Sequence, residues 1–509
     1  MKKWLFLPLI ATCCIQCKHK EDSSPLSDDI ANYKVEALGD IEGNWTKVTT
    51  FLENSELLKV NAQAPDDEEK IEMVGNSGTF VFLGDSIDSG SQNQKVLRFL
   101  TSLKQRYPNR VILILGNRDI NKLRFLWELK ADALKMDDPA TMYSLDRFRL
   151  TSWADDFAAY ATQKDPTKPP LPLVDGVSTA YTHGQNIDSD KVLKAKFLLA
   201  KTLGCAATFK DLKTELQAAT DIEVIHFLEN LPQKGSLLNK YLHMAQLIYY
   251  DQNTKTLFMH GGISETNYGT IPGIQKKNIQ NKEELIAWTK ELNQWAQDRL
   301  ADADRGDIEK SLPLVQYQEP IVQTLPNGKT SWVGPQGPNV PNPESVVQAR
   351  PWVDPNNIDM IPEALQTLLM KAGVTRLVFG HSPVGDVPVF MRNGSFEMIA
   401  ADTTFALQPH NATVVVTPTG SQIFATYNTY AEQKPLAAIA SSTKLLYNSA
   451  EPALGKRTLV ALADSPQVVD RIQWDLGVTS SKEEPKQRLH LYFKKAGLFT
   501  LPAYSLLPE

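Results

Sequence analysis

The chain has 509 residues, 42% of them hydrophobic and 22% charged. At roughly 100–200 residues per domain this length suggests two to four units of structure, and the composition excludes wholesale disorder. The formal charge of -6 provides no basic field for nucleic acid.

Lys2 and Lys3 open the chain, and Trp4 to Ile15 is a mostly apolar run. About a dozen apolar residues are too few to span a bilayer but suit the core of an export signal. Of the four cysteines, Cys13, Cys14 and Cys17 lie in this leader, so Cys205 stands alone in the body of the chain. That excludes a disulfide framework and a cysteine-based zinc site there. Ile10-Ala11-Thr12-Cys13 resembles the bacterial lipoprotein box, with Thr12 where a smaller residue is usual. Residues 1–17 are therefore expected to be a signal or lipoprotein-like leader, and 18–33 a polar tether. The expected location is outside the cytoplasm: periplasmic, membrane-anchored through a lipidated cysteine, or secreted.

From residue 34 strand patterns alternate with helical ones. Lys34 to Leu38 reads as a strand running into Gly39-Asp40-Ile41-Glu42-Gly43-Asn44, and Trp45 to Leu58 as a helix. Ala64 to Lys70 is an acidic loop, expected to be a solvated insertion. Thr79 to Leu83 is a buried-strand pattern ending in Gly84-Asp85-Ser86-Ile87-Asp88-Ser89-Gly90, followed by a helix over Lys95 to Arg106. Arg110 to Leu115 is a third strand, ending in Gly116-Asn117-Arg118-Asp119. Residues from about 120 to 250 have helical spacing, broken by the proline-rich stretch Asp165 to Pro172, and are expected to form a helical insertion. Thr256 to Met259 is a strand leading to His260-Gly261-Gly262, and Glu283 to Leu300 a helix. Val333 to Glu344 is a loop by its Pro and Gly content. A helix over Ile361 to Ala372 precedes the strand Val374 to Phe379, which ends in Gly380-His381-Ser382-Pro383. Residues 431–509 carry no chemical motif and are expected to be an extension of the domain at 34–430. The alternation implies an α/β fold with its functional loops at one edge of a sheet.

The strand ends present Asp40 with Glu42, then Asp85, Asn117, His260 and His381. This is an oxygen and imidazole donor set without thiolate, suited to Mn, Fe or Zn. The order resembles the calcineurin-like metallophosphoesterase superfamily, and within it the phosphoprotein phosphatase branch. The family motifs GDxHG, GDxxDRG, GNHE, HGG and a late His correspond here to GDIEG, GDSIDSG, GNRD, HGG and GHSP. The resemblance implies a four-layer α/β/β/α sandwich holding two divalent cations, Mn first and Fe or Zn as alternatives. It implies that Asp85 bridges the metals, that Asp40 and Glu42 complete one site, and that Asn117, His260 and His381 complete the other. A hydroxide shared by the two metals would attack phosphorus in line. Asp88 would hold one of the ligands in place.

Three positions depart from the family pattern. Glu42 stands at the usual His position, a charge that hardens its site toward Mn or Mg. Ser89 replaces the family's Arg. Arg118 replaces the His that protonates the leaving group, and an arginine cannot do so because its pKa exceeds about 12. Arg118 can instead grip phosphate as a fork, with Arg124 as a second candidate and Asp119 as a candidate proton carrier. The GNRD and GDxEG variants resemble a sub-branch found in protozoa and among phosphatases delivered by intracellular bacteria, some of which act on phosphotyrosine.

Of the other histidines, His183 is a rival to His260 that lacks a strongly apolar strand before it; His19, His226, His243, His410 and His490 have no motif beside them. Asp402 reads more simply as a turn residue, and Arg350-Pro351-Trp352 as packing beside the pocket. The implied activity is hydrolysis of phosphomonoesters on phosphoprotein or small phosphoesters. Its rivals are a nucleotide or dinucleoside polyphosphate hydrolase on the same fold, and a metal-containing binding protein with little catalysis. Mass spectrometry of the mature N-terminus tests the leader: loss of Met1 is expected, with a lipid mass on Cys13, and an intact Met1 ends the export assignment.

Overall fold

The computed structural model describes residues 32–130, 187–319, 342–351, 360–403 and 412–424, apart from 66, 200–202, 204, 206 and 384–387. It also gives the backbone of strands at 323–324, 330–331, 425–430, 438–448, 457–459, 468–476, 487–496 and 499–507. The leader and the tether up to residue 31 with their three cysteines, His183, His410, the Asp165–Pro172 stretch, Trp352 and most of the Val333–Glu344 loop lie outside the described residues. Among the described residues no helix is long and apolar enough to cross a membrane.

The elements that position the candidate site run in chain order. They are β1 (Val35–Leu38), α1 (Trp45–Asn54), β2 (Thr79–Phe82), α2 (Asn93–Arg106), β3 (Val111–Leu113) and the short α3 (Asn117–Asn121). Four helices of the expected insertion follow: α4 (Ile187–Phe197), α5 (Thr208–Glu215), α6 (Asp221–Asn230) and α7 (Leu237–Met244). Then come β4 (Ile248–Asp251), β5 (Thr256–Met259), α8 (Lys282–Asp304), α9 (Ile308–Tyr317), α10 (Glu363–Lys371) and β6 (Arg376–Phe379). The last are β7 (Val389–Asn393), β8 (Phe396–Ala400), β9 (Ala412–Thr417), β10 (Gly420–Tyr430), β11 (Ala438–Asn448) and β12 (Arg457–Leu459).

The strands make a mixed α/β fold with two six-stranded sheets, ordered β11-β10-β9-β1-β2-β3 and β12-β7-β8-β6-β5-β4. β1, β2 and β3 are parallel, as are β5, β6 and β8. Parallel neighbours send their carboxyl ends to one edge, where ligand loops gather. Val35, Val81 and Ile112 of the first sheet share one apolar cluster with Phe258, Val378 and Ile399 of the second. Alternation along the strands points Phe80 and Phe82 the other way, toward α1 and α2. There Phe80 packs 5.5 Å from Phe51 and 6.4 Å from Phe99 between ring centroids. Burial on both faces explains why these strands read as short continuous apolar runs, and burying a side chain such as Phe80 contributes about 1.5–3 kcal/mol.

Helix starts follow local chemistry. The Asn44 side chain caps α1 by accepting from Thr46 N, and Asn281 caps α8 by accepting from Glu284 N. The acidic loop is less solvated than expected: Glu68 accepts from Arg98 Nε of α2 at 2.6 Å. The extension after residue 431 also supplies sheet strands, since β11 pairs with β10 and β12 with β7.

At the edge away from the loops, the buried Arg376 donates to Glu397 at 2.6 Å and to Thr254 O and Thr256 Oγ1. Ser421 of the first sheet donates to the same Glu397 at 2.7 Å, so one ion pair ties both sheets. Arg376→Met leaves Glu397 buried without its cation and is expected to lower stability by about 3–5 kcal/mol. Urea unfolding measures this, and a loss below about 1 kcal/mol would overturn the assignment.

Candidate metal centre

Six chain segments deliver polar side chains to the loop edge of the two sheets. Asp40 and Glu42 follow β1, Asp85 follows β2, Asn117 opens α3 after β3, His260 follows β5, His381 follows β6, and Asp402 follows β8. Hydrogen bonds lock the first loops together. Ile41 N and Glu42 N donate to Asp85 O, and Gly43 N to Ser86 O. Asp119 accepts from Gly116 N, Asp85 N, Ser86 N and Ser86 Oγ at 2.6–3.0 Å. Two motif glycines are required by closeness. A Cβ on Gly116 would lie 2.2 Å from Asp85 Oδ1, and one on Gly380 2.3 Å from Asp40 Oδ1.

Three of the expected ligand residues hold a left-handed backbone without being glycine: Glu42 at φ 50°, Asp85 at 55° and His381 at 63°. Such strain persists only where the surroundings enforce it, and it gathers at functional sites.

The donor atoms converge as a cation site would need. Ligand atoms of Asp85, His260 and His381, all buried, lie within 4.8 Å of one another. His260 Nδ1 sits 2.8 Å from Leu83 O, which fixes that nitrogen as the N–H donor. Its Nε2 then turns a lone pair toward Asn117 Oδ1 at 3.0 Å and Asp85 Oδ1 at 3.3 Å. These are three acceptors aimed at one point, an arrangement relieved by a proton or a metal. His381 Nε2 is buried with no hydrogen-bond partner. His381 N donates to both oxygens of Asp40, at 3.3 and 3.1 Å, which orients Asp40.

Electrostatics supports the same assembly. Burial, with the charges of Asp402, Asp85 and Glu42, pushes the Asp40 carboxyl well above its ordinary value. Burial pushes Asp402 up to about 7, and it hydrogen-bonds Asp40. Asp85 goes the other way: burial opposes its charge, but His260 and Arg118 outweigh it and hold the carboxyl low. Burial, then Arg350, pushes His381 well down, toward the neutral ring that a ligand must be. A divalent cation would relieve the repulsion among these acids.

Arg118 borders the acids of this cluster. Its Nε is 2.7 Å from Glu42 and 3.3 Å from Asp85, and its Nη1 is 3.7 Å from Asp88 and 3.4 Å from Ser89 Oγ. The guanidinium thus stands beside Ser89, where the family's own arginine would begin. Lys122 donates to Asp88 at 2.7 Å, and the buried Lys47 donates to the carbonyls of Asp40 and Thr403.

The structure does not bring every sequence candidate to the centre. Arg124 donates to Glu128 at 2.5 Å and lies 3.7 Å from Glu319, so its charge is engaged within the helical segments. Asp119 lies beside Asp85, where burial and the Asp85 charge push its carboxyl up to about 6. Its oxygens hold four donors, and delivering a proton would cost those bonds; its position is that of a loop anchor. Arg350 and Asp402 belong to the centre although sequence reasoning set them aside. The half-buried Arg350 has its pKa lowered by burial, while Asp402, Asp40 and Asp85 act on its charge in the opposite sense. The signal available for Asp402 was its place after an apolar run, Met398 to Ala401. Of the remaining histidines, His226 is exposed and His243 pairs with Asp304 at 2.9 Å.

An α/β protein with a buried carboxylate and imidazole centre at parallel strand ends is the class that fold and site define. Residues 33–198 match the calcineurin-like phosphoesterase family. The family implies divalent metals at this centre. Over 101 residues, 20% of its length, the chain is 27% identical to a protein phosphatase 2A catalytic subunit of Dictyostelium discoideum. It spans only 27% of the length of that curated relative. Among solved structures it overlaps the cold-active protein-tyrosine phosphatase of a Shewanella species, with TM-score 0.38 and 15% identity. That overlap covers 81% of this chain and 80% of the other. It also overlaps a protein serine/threonine phosphatase of Saccharomyces cerevisiae, with TM-score 0.31 and 10% identity, over 87% and 84% of the two chains. At such TM-scores neither overlap bears on substrate.

Removing a ligand should remove metal. Asp85→Asn and His381→Ala are each expected to bind less divalent metal per chain than wild type after loading with Mn, measured by elemental analysis on folded protein. Wild-type metal content in both variants would sink the assignment.

Proposed function

We propose that this protein is a metal-dependent phosphatase that hydrolyses phosphomonoesters, with phosphoprotein as the substrate class. The observation that carries this is the convergence of Asp85, His260 and His381, with Arg118 3.3 Å from Asp85. Two divalent cations, Mn in the first instance, would activate the nucleophile and neutralise phosphoryl oxygens when bound. Asp40, Glu42, Asp85, Asn117, His260 and His381 would hold them. Leu83 O fixes the tautomer of His260, and His381 N orients Asp40.

Arg118 presents a planar fork that recognises phosphate in two-point fashion. Ser89 leaves room for it, and together they replace an arginine on the second loop by one on the third. Arg350 adds a second cation whose charge interacts with Asp402, Asp40 and Asp85. Arg118 cannot donate a proton to a leaving group. A phenol, with a pKa of about 10, leaves without protonation more readily than an alkanol. That chemistry favours phosphotyrosine over phosphoserine or phosphothreonine. Similarity to a protein phosphatase 2A catalytic subunit supports the phosphoprotein class.

The test is a panel of phosphotyrosine, phosphoserine and phosphothreonine peptides, nucleotides and a dinucleoside polyphosphate, assayed with added Mn. Fastest turnover is expected on phosphotyrosine. Preference for the nucleotides would replace this substrate class, and turnover of none of them would favour a binding protein. Arg118→Ala is expected to lower kcat/KM at least tenfold, equivalent to about 1.4 kcal/mol. An unchanged kcat/KM removes Arg118 from the phosphate contact.

A further inference from the structure

The second acid loop is held at both ends by one helix from far along the chain. α5 begins at Thr208 and ends at Glu215. At its start, Thr208 Oγ1 donates to Asp88 Oδ1 at 2.5 Å and accepts from Ser89 N at 3.0 Å. At its end, Glu215 accepts from Gln94 N at 2.7 Å and from Asn93 Nδ2 at 2.9 Å. Asn93 in turn accepts from Asp88 N and donates to Gly90 O. The bridged stretch is strained: Asp88 has φ 104° and Ser89 φ 52°, both without being glycine. Phe209 and Leu212 are buried and seat the helix in the main core.

Asp88 and Ser89 are the residues that Arg118 Nη1 faces, at 3.7 and 3.4 Å. Thr208 is buried, and its hydroxyl is used once as donor and once as acceptor. A hydroxyl so placed sets the orientation of the Asp88 carboxylate and the left-handed turn at Ser89 together. Lys122 holds the other oxygen of Asp88. The carboxylate is therefore held on both sides before it meets Arg118.

We propose that Thr208 is a positioning residue for Arg118, acting through Asp88 and Ser89, and that α5 is a splint for the phosphate-binding end of the site. This rests on the phosphate-contact role given to Arg118 above. It gives the helical segment after residue 187 a part in phosphate recognition as well as in packing.

Thr208→Val keeps the shape and removes both hydrogen bonds, whereas Thr208→Ser keeps them. With Mn-loaded protein, two quantities are measured: kcat/KM on a phosphotyrosine peptide, and the Kd of inorganic phosphate by calorimetry. Thr208→Val is expected to weaken both at least tenfold, and Thr208→Ser by less than twofold. Added to Arg118→Ala, Thr208→Val is expected to cost less than a further twofold, because residues acting through one another are not additive. Equal behaviour of the Val and Ser variants overturns the proposal, as does full additivity with Arg118→Ala. If the Val variant does not fold, Thr208→Ala enters the same cycle under the same criteria. A wild type that hydrolyses no phosphoester ends the phosphatase assignment, and the phosphate-binding cycle still decides the role of Thr208.

Discussion

The structure depends on burying six acids at one edge of two sheets. Asp40, Glu42, Asp85, Asp88, Asp119 and Asp402 are all withdrawn from water. Charge buried without compensation costs several kcal/mol per ion, so each carboxylate must find a cation, hydrogen-bond donors or a proton. The chain supplies part of this itself. Lys47, Arg118 and Lys122 reach in from α1 and α3 or just beyond it, and Asp119 spends its oxygens on backbone N–H groups. Asp40 is left in deficit, pressed by burial and by Asp402, Asp85 and Glu42. That imbalance is the electrostatic form of a metal site.

The two ends of the sheets are built for opposite purposes. At the edge away from the loops, Arg376, Glu397 and Ser421 close a neutral, fully paired network that joins both sheets. At the loop edge, acceptors face acceptors and His381 Nε2 lacks a partner. The shared apolar cluster between the sheets transmits the register of one set of strand ends to the other. Groups separated by hundreds of residues, such as the Asp40 carboxylate and the His381 backbone N–H, therefore meet within hydrogen-bond distance.

Much of this was legible along the chain. The strands after which Asp40, Asp85, Asn117, His260 and His381 fall are short apolar runs, and glycines in the loops that follow mark where each run stops. The structure shortens Trp45–Leu58 to Trp45–Asn54, because the α1 cap at Ser55 is extended. Asp402 was less visible because no Gly-acid motif marks it, only the preceding strand. Arg350 sits after a loop whose Pro and Gly content hides its direction. The hairpin β10–β11 was not legible because no chemical motif marks it; among the described residues it pairs within itself and with β9.

The sequence by itself determined which residue types could act: three acids, an amide and two imidazoles after apolar strands, with Arg118 at the usual His position and Ser89 at the usual Arg position. Those are local facts of composition and spacing. Tertiary structure alone decided how they are used. It set Arg118 beside Ser89, turned Arg124 toward Glu128, filled the oxygens of Asp119, and brought Asp402, Arg350 and Thr208 to the same edge. The physical reason is that hydrogen bonding and charge compensation depend on distances of about 3 Å. Such distances exist only after two sheets and a distant helix have packed.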